Sequence, residues 1–326
     1  MNEERLRRLP NVGIVGASSL LGKELKEQLE AGGFPLGRLT LLETEEYAGL
    51  LQEFAGDIQI TQIISPETLS EVDIAFFTCS PTIMDAFVAS GAAFPELTID
   101  LTQRGRPGAL FLSGLSDTSV LRLRGYYVNP HPSVIVMARV LSRLHNTFGL
   151  RSASVTVLES ASDLGNAGVD ELQDQTLSLL NFQNFEHKVF GGQIAFNVLR
   201  AEDRFVGQLA ELLGQAFPKP MVQSVHVPVF HGQGFSIFAD LLKRPERGAV
   251  RESLAADSSF VMHGEDEPTP VGVVGTHGIH IGKVQESEEY PERISLWVAA
   301  DNLRLSASNA IRTAENLMLA AIGDRS

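Results

Sequence analysis

Cysteine is nearly absent: Cys79 is the only one in 326 residues. A lone thiol excludes an intramolecular disulfide framework and any zinc site built on paired cysteines, and it fits a reducing compartment. Basic residues are scarce, with 26 Lys and Arg against 40 Asp and Glu and a formal net charge of −14. That balance argues against a nucleic-acid partner, because displacing counterions from phosphates takes Lys and Arg. It argues equally against an anionic membrane surface. No run of about 18 uncharged apolar residues is present, so no membrane-spanning helix is expected. The opening residues lead straight into the strand-like Val12–Val15, without the apolar core and cleavage site of a signal peptide. The expectation is a soluble, cytoplasmic protein.

What is there is ordinary globular composition, 44% apolar and 20% charged, with length for about two domains. No internal repeat or low-complexity tract interrupts it. The first 130 residues alternate short apolar runs with helical spacing. Val12–Val15, Arg38–Leu42, Ile58–Ile64, Val72–Thr78, Leu97–Leu101 and Gly125–Val128 read as strands. Lys23–Ala31 and Thr82–Ser90 read as helices. Short buried strands separated by helices indicate an α/β parallel sheet covered on both faces. After about residue 150 the pattern becomes mixed α+β. Strands are expected at Ser152–Glu159, Val222–Phe230, Val271–Gly275, Gly278–Val284 and Arg293–Ala299. Helices are expected at Gly168–Leu180, Arg204–Gln215 and Arg251–Ala256. Leu305–Ile322 reads as a C-terminal helix returning to the first domain.

Gly16-Ala17-Ser18-Ser19-Leu20-Leu21-Gly22 joins the first strand to the first helix. Such a loop offers backbone N–H groups and a helix N-terminus to a pyrophosphate. Gly16 permits the tight turn and Gly22 permits close helix–sheet packing. Ser19 stands where a glycine usually lets backbone approach the phosphate, with the hydroxyls of Ser18 and Ser19 as donors. Glu43 ends the second strand and Glu45 and Glu46 follow. An acid there accepts from a ribose 2′-OH, and three carboxylates repel a 2′-phosphate, so NAD is favoured over NADP if a dinucleotide binds. The alternative is a Gly-rich turn and a solvated acidic turn that bind nothing.

Further segments follow in one order: Phe77-Thr78-Cys79-Ser80-Pro81, Ile99-Asp100-Leu101-Thr102, Val128-Asn129-Pro130, residues 170–181, Gln193-Ile194-Ala195-Phe196-Asn197 and Ala300-Asp301-Asn302-Leu303-Arg304. Together with the glycine loop they resemble the aspartate-semialdehyde dehydrogenase family over almost the whole chain. The resemblance implies a Rossmann-type NAD(P)-binding domain, residues 1–130 plus 303–326. It implies an α+β substrate and dimerisation domain, residues 131–302, and a homodimer. It places Gly16, Ser18, Ser19, Leu20, Leu21, Gly22, Glu43, Thr78, Cys79 and Asn302 on the cofactor side. Arg104, Asn129, His131, Ser133 and His231 become candidates for the substrate cleft.

The family interconverts an acyl phosphate and an aldehyde in amino-acid biosynthesis, through a cysteine thioester, a proton-moving histidine and a nicotinamide hydride. Here the cysteine position falls on Pro132 and the histidine position on Gln233. The carboxylate-binding arginine position is His226, and a substrate-orienting glutamine has become Glu159. Four departures at once point to a catalytically silent homologue that acts by binding a nucleotide, a metabolite or a protein. An active oxidoreductase with relocated chemistry is one alternative, resting on Cys79 or on a His131/His226/His231/Glu159 cluster that would suit zinc. A structural partner of an active homologue is the other. No metal is expected under the leading reading. Cys79 otherwise reads as a small buried residue and Ser133 as a helix cap. His277 and His280, three apart on an expected strand, would point to opposite faces.

Overall fold

A computed structural model describes residues 9–323 apart from Gln103, Arg106, Leu123 and Asp203. The described chain divides into two compact units, residues 9–131 with 306–323 and residues 132–305.

In the first unit the strands are β1 (Asn11–Val15), β2 (Arg38–Glu43), β3 (Leu51–Phe54), β4 (Asp57–Ile60), β5 (Gln62–Ile63), β6 (Ile74–Phe77), β7 (Leu97–Asp100), β8 (Ala109–Leu110) and β9 (Gly125–Val128). Seven of them form one sheet in the order β5-β2-β1-β6-β7-β9-β8, and its pairings are parallel. The order reverses between β1 and β6, and in such sheets ligands bind beyond the carboxyl ends at that reversal. Alternate side chains of each strand enter opposite layers. Val12, Ile14, Ile74 and Phe76 go to one buried cluster, while Val15, Ala75 and Phe77 go to the other. Both faces are therefore covered, as the continuous apolar runs demand.

Helix α1 (Leu20–Ala31) closes one layer with Leu25 and Leu29, one turn apart; α2 (Pro66–Ser70) follows β5 and α3 (Pro81–Ala89) follows β6. The C-terminal helix (Asn302–Gly323) adds Ala307, Ala310, Ile311, Ala314 and Leu317 to the same layer. Their spacing is one helical stripe, and the alanines let backbone approach the sheet closely. Asn309 fixes this helix. Its amide donates to Phe111 O (3.1 Å) and to Asn129 Oδ1 (2.8 Å), and its oxygen accepts from Ser113 N (3.0 Å).

Three expectations fail in instructive ways. Ile58–Ile64 is two strands. β4 pairs antiparallel with β3 in a hairpin, and β5 pairs parallel with β2. The break is Thr61, whose hydroxyl donates to Tyr47 O (2.7 Å) and accepts from Leu50 N (2.9 Å). Val271–Gly275 is a run of turns rather than a strand. Pro268 and Pro270 precede it, Gly275 has φ +76, and Val273 N bonds back to Thr269 O at 3.1 Å. Expected strand Val222–Phe230 also ends early, at His226, because a three-residue turn forms about Pro228, with Val229 N donating to Val227 O at 2.8 Å.

The second unit is a seven-stranded mixed sheet. Its strands are β10 (Leu150–Glu159), β11 (Leu199–Arg200), β12 (Met221–His226), β13 (Gln233–Leu241), β14 (Phe260–Met262), β15 (Ile279–Glu286) and β16 (Arg293–Ala300). They run in the order β11-β12-β10-β13-β16-β15-β14. Helix α4 (Pro132–Phe148) packs on β10 and β13. The buried face carries Val155, Val157, Phe235 and Ile237. The other face is open, with Met221 and Phe238 both registered against Ser154 and 77% and 59% exposed. Neither α4 nor β13 was legible as an element. α4 opens on a proline and runs through Val134-Ile135-Val136, which reads as strand rather than as the buried first turns of a helix.

Replacing Asn309 with Ala would orphan Phe111 O, Asn129 Oδ1 and Ser113 N together. The expected loss is about 3 kcal/mol of unfolding free energy, read as a lower urea midpoint. A change below roughly 0.5 kcal/mol, the size of an ordinary surface substitution, would refute the anchoring role.

Candidate functional site

The glycine loop lies at the carboxyl end of β1, beside the sheet's reversal point. Gly16 has φ +90, and a Cβ there would stand 2.4 Å from Cys79 Cα. A Cβ on Gly22 would stand 2.3 Å from Gly16 O. Both positions therefore require glycine, because the turn and α1 are pressed against the segment that follows β6. Thr78 completes the seam by donating its hydroxyl to Val15 O (3.1 Å) and Gly16 O (3.0 Å).

Several groups expected to face a cofactor are engaged within the protein. Ser19 is the N-cap of α1, its hydroxyl accepting from Gly22 N at 2.9 Å. Glu43 is buried, and its carboxylate accepts a short hydrogen bond from Ser18 N. Gly16 N donates to Leu42 O (2.9 Å) and Ser19 N to Gly16 O (3.0 Å). Glu45 and Glu46 remain exposed. Cys79 is buried, and its thiol is pushed up to about 12 by burial and then by the negative charges of Asp100 and Glu43. It is not a poised nucleophile.

Two of the expected cleft residues in this unit have structural partners. Arg104 pairs with Asp85 through both ends of the carboxylate, at 2.6 and 3.3 Å, on the surface. Asn129 is buried and donates to the Ser306 hydroxyl at 3.0 Å. His131 is buried as well.

In the second unit, the start of α4, the ends of β10 and β12, and the start of β13 bring a polar cluster together. Pro132 is the first residue of α4, a position that needs no N–H. Ser133, next along, is fully buried and donates its hydroxyl to Gln233 Oε1 at 3.2 Å. Gln233 in turn donates through Nε2 to Asp163 Oδ1 at 2.7 Å. Asp163 also accepts from Asn302 Nδ2 (3.0 Å) and Ser160 N (3.0 Å). Asn302 accepts from Gly232 N at 3.1 Å and donates to the Ser162 hydroxyl at 3.0 Å. Asn302, expected beside the cofactor, instead spends its amide on this network.

Beside it lies a second group. Glu159 is fully buried, and its Oε2 meets Arg204 Nη2 at 3.1 Å and His226 Nδ1 at 4.0 Å. Burial, then the charge of Asp163, raises the Glu159 carboxyl to about 7, against the pull of Arg204. Burial also raises Asp163, opposed by the hydrogen bonds from Gln233, Asn302 and Ser160. His226 is lowered by burial and by the Arg204 charge. His231 sits nearby in sequence with Nδ1 buried and without a hydrogen-bond partner among the described residues.

The zinc-suited cluster of three histidines and Glu159 is not assembled. Among the described residues no group of three or more His, Cys, Asp or Glu side chains is placed to hold a metal ion. His277 precedes β15 and meets Arg304 at 3.3 Å, while His280 bonds to His263 at 2.8 Å. Asp163 and Arg204 were missed as site residues. The available signal for Asp163 was its place three residues after Ser160, the spacing of a reciprocal cap, which it forms.

Residues 11–119 match the semialdehyde dehydrogenase NAD-binding domain, and residues 141–305 match the semialdehyde dehydrogenase dimerisation domain. The chain belongs to the semialdehyde dehydrogenase family. Aspartate-semialdehyde dehydrogenase 2 of Vibrio cholerae is 30% identical, the match covering 94% of this chain and 97% of that protein. A Pseudomonas aeruginosa protein named USG-1 protein homolog is 29% identical over the same shares, 94% and 97%. The solved structure of a probable aspartate-semialdehyde dehydrogenase from Pseudomonas aeruginosa superposes with a TM-score of 0.85 at 29% identity, covering 95% of this chain and 99% of that one. Within the semialdehyde dehydrogenase fold, the Asp163 network and the Glu159–Arg204 pair occupy this chain's dimerisation domain. No helix among the described residues is long and apolar enough to cross a membrane.

Because Glu159 is raised in the folded state, the native protein holds its proton at pH values where the unfolded chain has lost it. Stability therefore falls as pH rises from about 4.5 to about 7. Glu159→Gln removes this contribution, so the variant should melt roughly 3–6 °C higher relative to wild type at pH 8 than at pH 5. Melting curves with parallel pH dependence would show that Glu159 is not the group responsible.

Proposed function

We propose that this chain keeps the semialdehyde dehydrogenase scaffold without the family's reaction and acts by binding. The observation that carries this is the amide of Gln233, fixed between the Ser133 hydroxyl and the Asp163 carboxylate. It copies the two-sided hydrogen bonding of an imidazole, accepting on one side and donating on the other. An amide does not take up a proton near neutral pH, so Gln233 itself cannot carry the proton transfers an acyl phosphate reaction requires of the family's histidine. Pro132, at the family's cysteine position, brings no sulfur. The chain's one thiol, Cys79, is buried and poorly ionised. This disfavours a reaction relocated to Cys79.

The residues at the glycine loop fit the phosphates of a dinucleotide in shape. The turn at Gly16 and the N-terminus of α1 would hold them, and the nicotinamide, where bound, would supply hydride chemistry. Glu43, Glu45 and Glu46 favour NAD over NADP. No Lys or Arg occurs between Leu39 and Gln103 to meet a 2′-phosphate. The open sheet face with Met221 and Phe238 is the surface we assign to a homodimer, in keeping with the matched dimerisation domain.

Purified protein given aspartate semialdehyde, phosphate and either NAD or NADP should yield no reduced nicotinamide. Sustained turnover would overturn the silent reading. In a thermal-shift titration with NAD, NADP, ATP and AMP, NAD at ~100-fold over its dissociation constant should stabilise by about 2.7 kcal/mol. A larger response to NADP than to NAD would reverse the cofactor assignment.

A further inference from the structure

The hairpin of β3 and β4 presents an outer face that the chain itself does not use. Antiparallel register pairs Leu51 with Ile60 and Glu53 with Ile58. Opposed residues, and residues two apart, share a face. Leu51, Glu53, Ile58 and Ile60 therefore lie on one side of the ribbon. The other side holds Gln52, Phe54 and Gln59. That inner side is committed: Phe54 is buried in the first unit's core, and Gln52 bonds to Lys26 Nζ (3.1 Å) and to the Ser18 hydroxyl (3.4 Å). The outer side is where a solvated strand normally places polar residues. Here Leu51, Ile58 and Ile60 are 67%, 70% and 58% exposed. Leu50 and Ile63 are also exposed at the ends of the two arms.

Folding stability does not account for three bulky apolar side chains on an outward face. Each would be replaced by Thr or Gln at no cost to packing. The turn is well built without them, Ala55 and Gly56 both having positive φ (53° and 80°) as a tight two-residue hairpin turn requires. The chain segment that carries the hairpin is acidic, and Lys26 of α1 meets it on the inner side, at Gln52. Residues 39–103 contain eleven Asp and Glu and no Lys or Arg, and Glu45, Glu46, Glu53 and Asp57 stand on or beside the hairpin.

We propose that this outer hairpin face docks a protein segment of basic, amphipathic character, its apolar side chains seated on Leu51, Ile58 and Ile60 and its cations on the acidic rim. Apolar anchors inside a charged rim are the usual anatomy of a contact surface. A second copy of this chain is disfavoured as occupant, because it would set one acidic rim against another within a protein of net charge −14. The hairpin also lies outside residues 141–305, the segment matching the dimerisation domain. The inference gives the binding role a partner class but does not depend on the absence of turnover.

A fluorescein-labelled 18-residue synthetic helix of Leu and Lys serves as the probe, with a Leu/Glu peptide of the same apolar pattern as its counterpart. The full-length protein should bind the basic peptide, increasingly weakly as salt rises, and should not bind the acidic one. The Ile58→Gln/Ile60→Gln double variant should bind at least about tenfold more weakly, with an unchanged melting temperature. Leu51→Gln is the substitute should the double variant fold poorly. Phe182→Gln, at an exposed aromatic in the other unit, should leave binding unchanged. Hydrogen exchange should place the protection at residues 47–63. The proposal is overturned if the double variant binds as well as wild type, if both peptides or neither bind, or if Phe182→Gln matters as much. It is also overturned if sedimentation shows that the hairpin variant loses a self-associated form. A silent enzyme whose hairpin fails these tests, or an active one whose hairpin passes them, separates this inference from the functional reading.

Discussion

A carboxyl group sealed inside a protein persists only if donors surround it, and Asp163 sets that condition for the second unit. Gln233, Asn302 and Ser160 all turn toward it. Each of these donors then determines another element. Gln233 begins β13 and holds Ser133 at the start of α4. Asn302 begins the C-terminal helix and holds the turn at Gly232. One buried acid thereby ties together the ends of a strand, two helices and two turns. An orphaned buried carboxylate costs several kcal/mol, so its partners cannot be exchanged one at a time. A glutamine at position 233 satisfies the arrangement on both sides. It can do so without ever carrying charge, and the fold thus has no need of a titrating group there.

The first unit obeys a different constraint, that of close approach. Gly16 and Gly22 leave no room for a methyl group between the loop, α1 and the segment after β6. Because the backbone is fixed so tightly, nearby side chains complete it. Thr78 caps carbonyls, Ser19 caps α1, and Glu43 accepts from Ser18. A loop wired in this way keeps the outline of a phosphate cradle whether or not a phosphate is present. A glycine motif therefore reports on local packing first and on ligand binding second.

This explains what the sequence made legible. The parallel strands of the first unit could be read because each is a short apolar run bounded by polar or glycine residues, and the C-terminal helix because its alanines recur on one stripe. The family signatures were readable for the same reason: they sit at strand ends and helix starts, where backbone geometry restricts residue choice. The missed elements lack that contrast. α4 lacks it where it starts, in the buried run Val134–Ala138, and its polar stripe of Arg139, Arg143 and Thr147 begins only afterwards. The split at Thr61 depends on one hydroxyl bonding across a turn, and the turns at Val271–Gly275 depend on the prolines before them. At the site, the resemblance singled out Pro132, Glu159, His226 and Gln233 as candidates, but the partners of these side chains could not be read. Arg204 reaches Glu159 from a distant segment, and whether Asp163 faces inward or outward is a tertiary fact.

The distribution of charge follows a logic separate from packing. The two buried acids at the second unit's polar cluster have partners: Glu159 pairs with Arg204 and Asp163 accepts from three donors. Across residues 39–103 of the first unit the acids have few cations in the same segment to answer them, Arg38 and Arg104 standing only at its borders. Self-repulsion of this kind destabilises a compact state slightly. An apolar patch at its centre lowers solubility. Neither feature helps the chain fold, and neither is demanded by the glycine loop, whose contact with the hairpin is made by Gln52 on the opposite face. Features that stability does not explain belong to what the surface meets, and a surface that is apolar at its centre and anionic at its edge is complementary to a cationic amphipath.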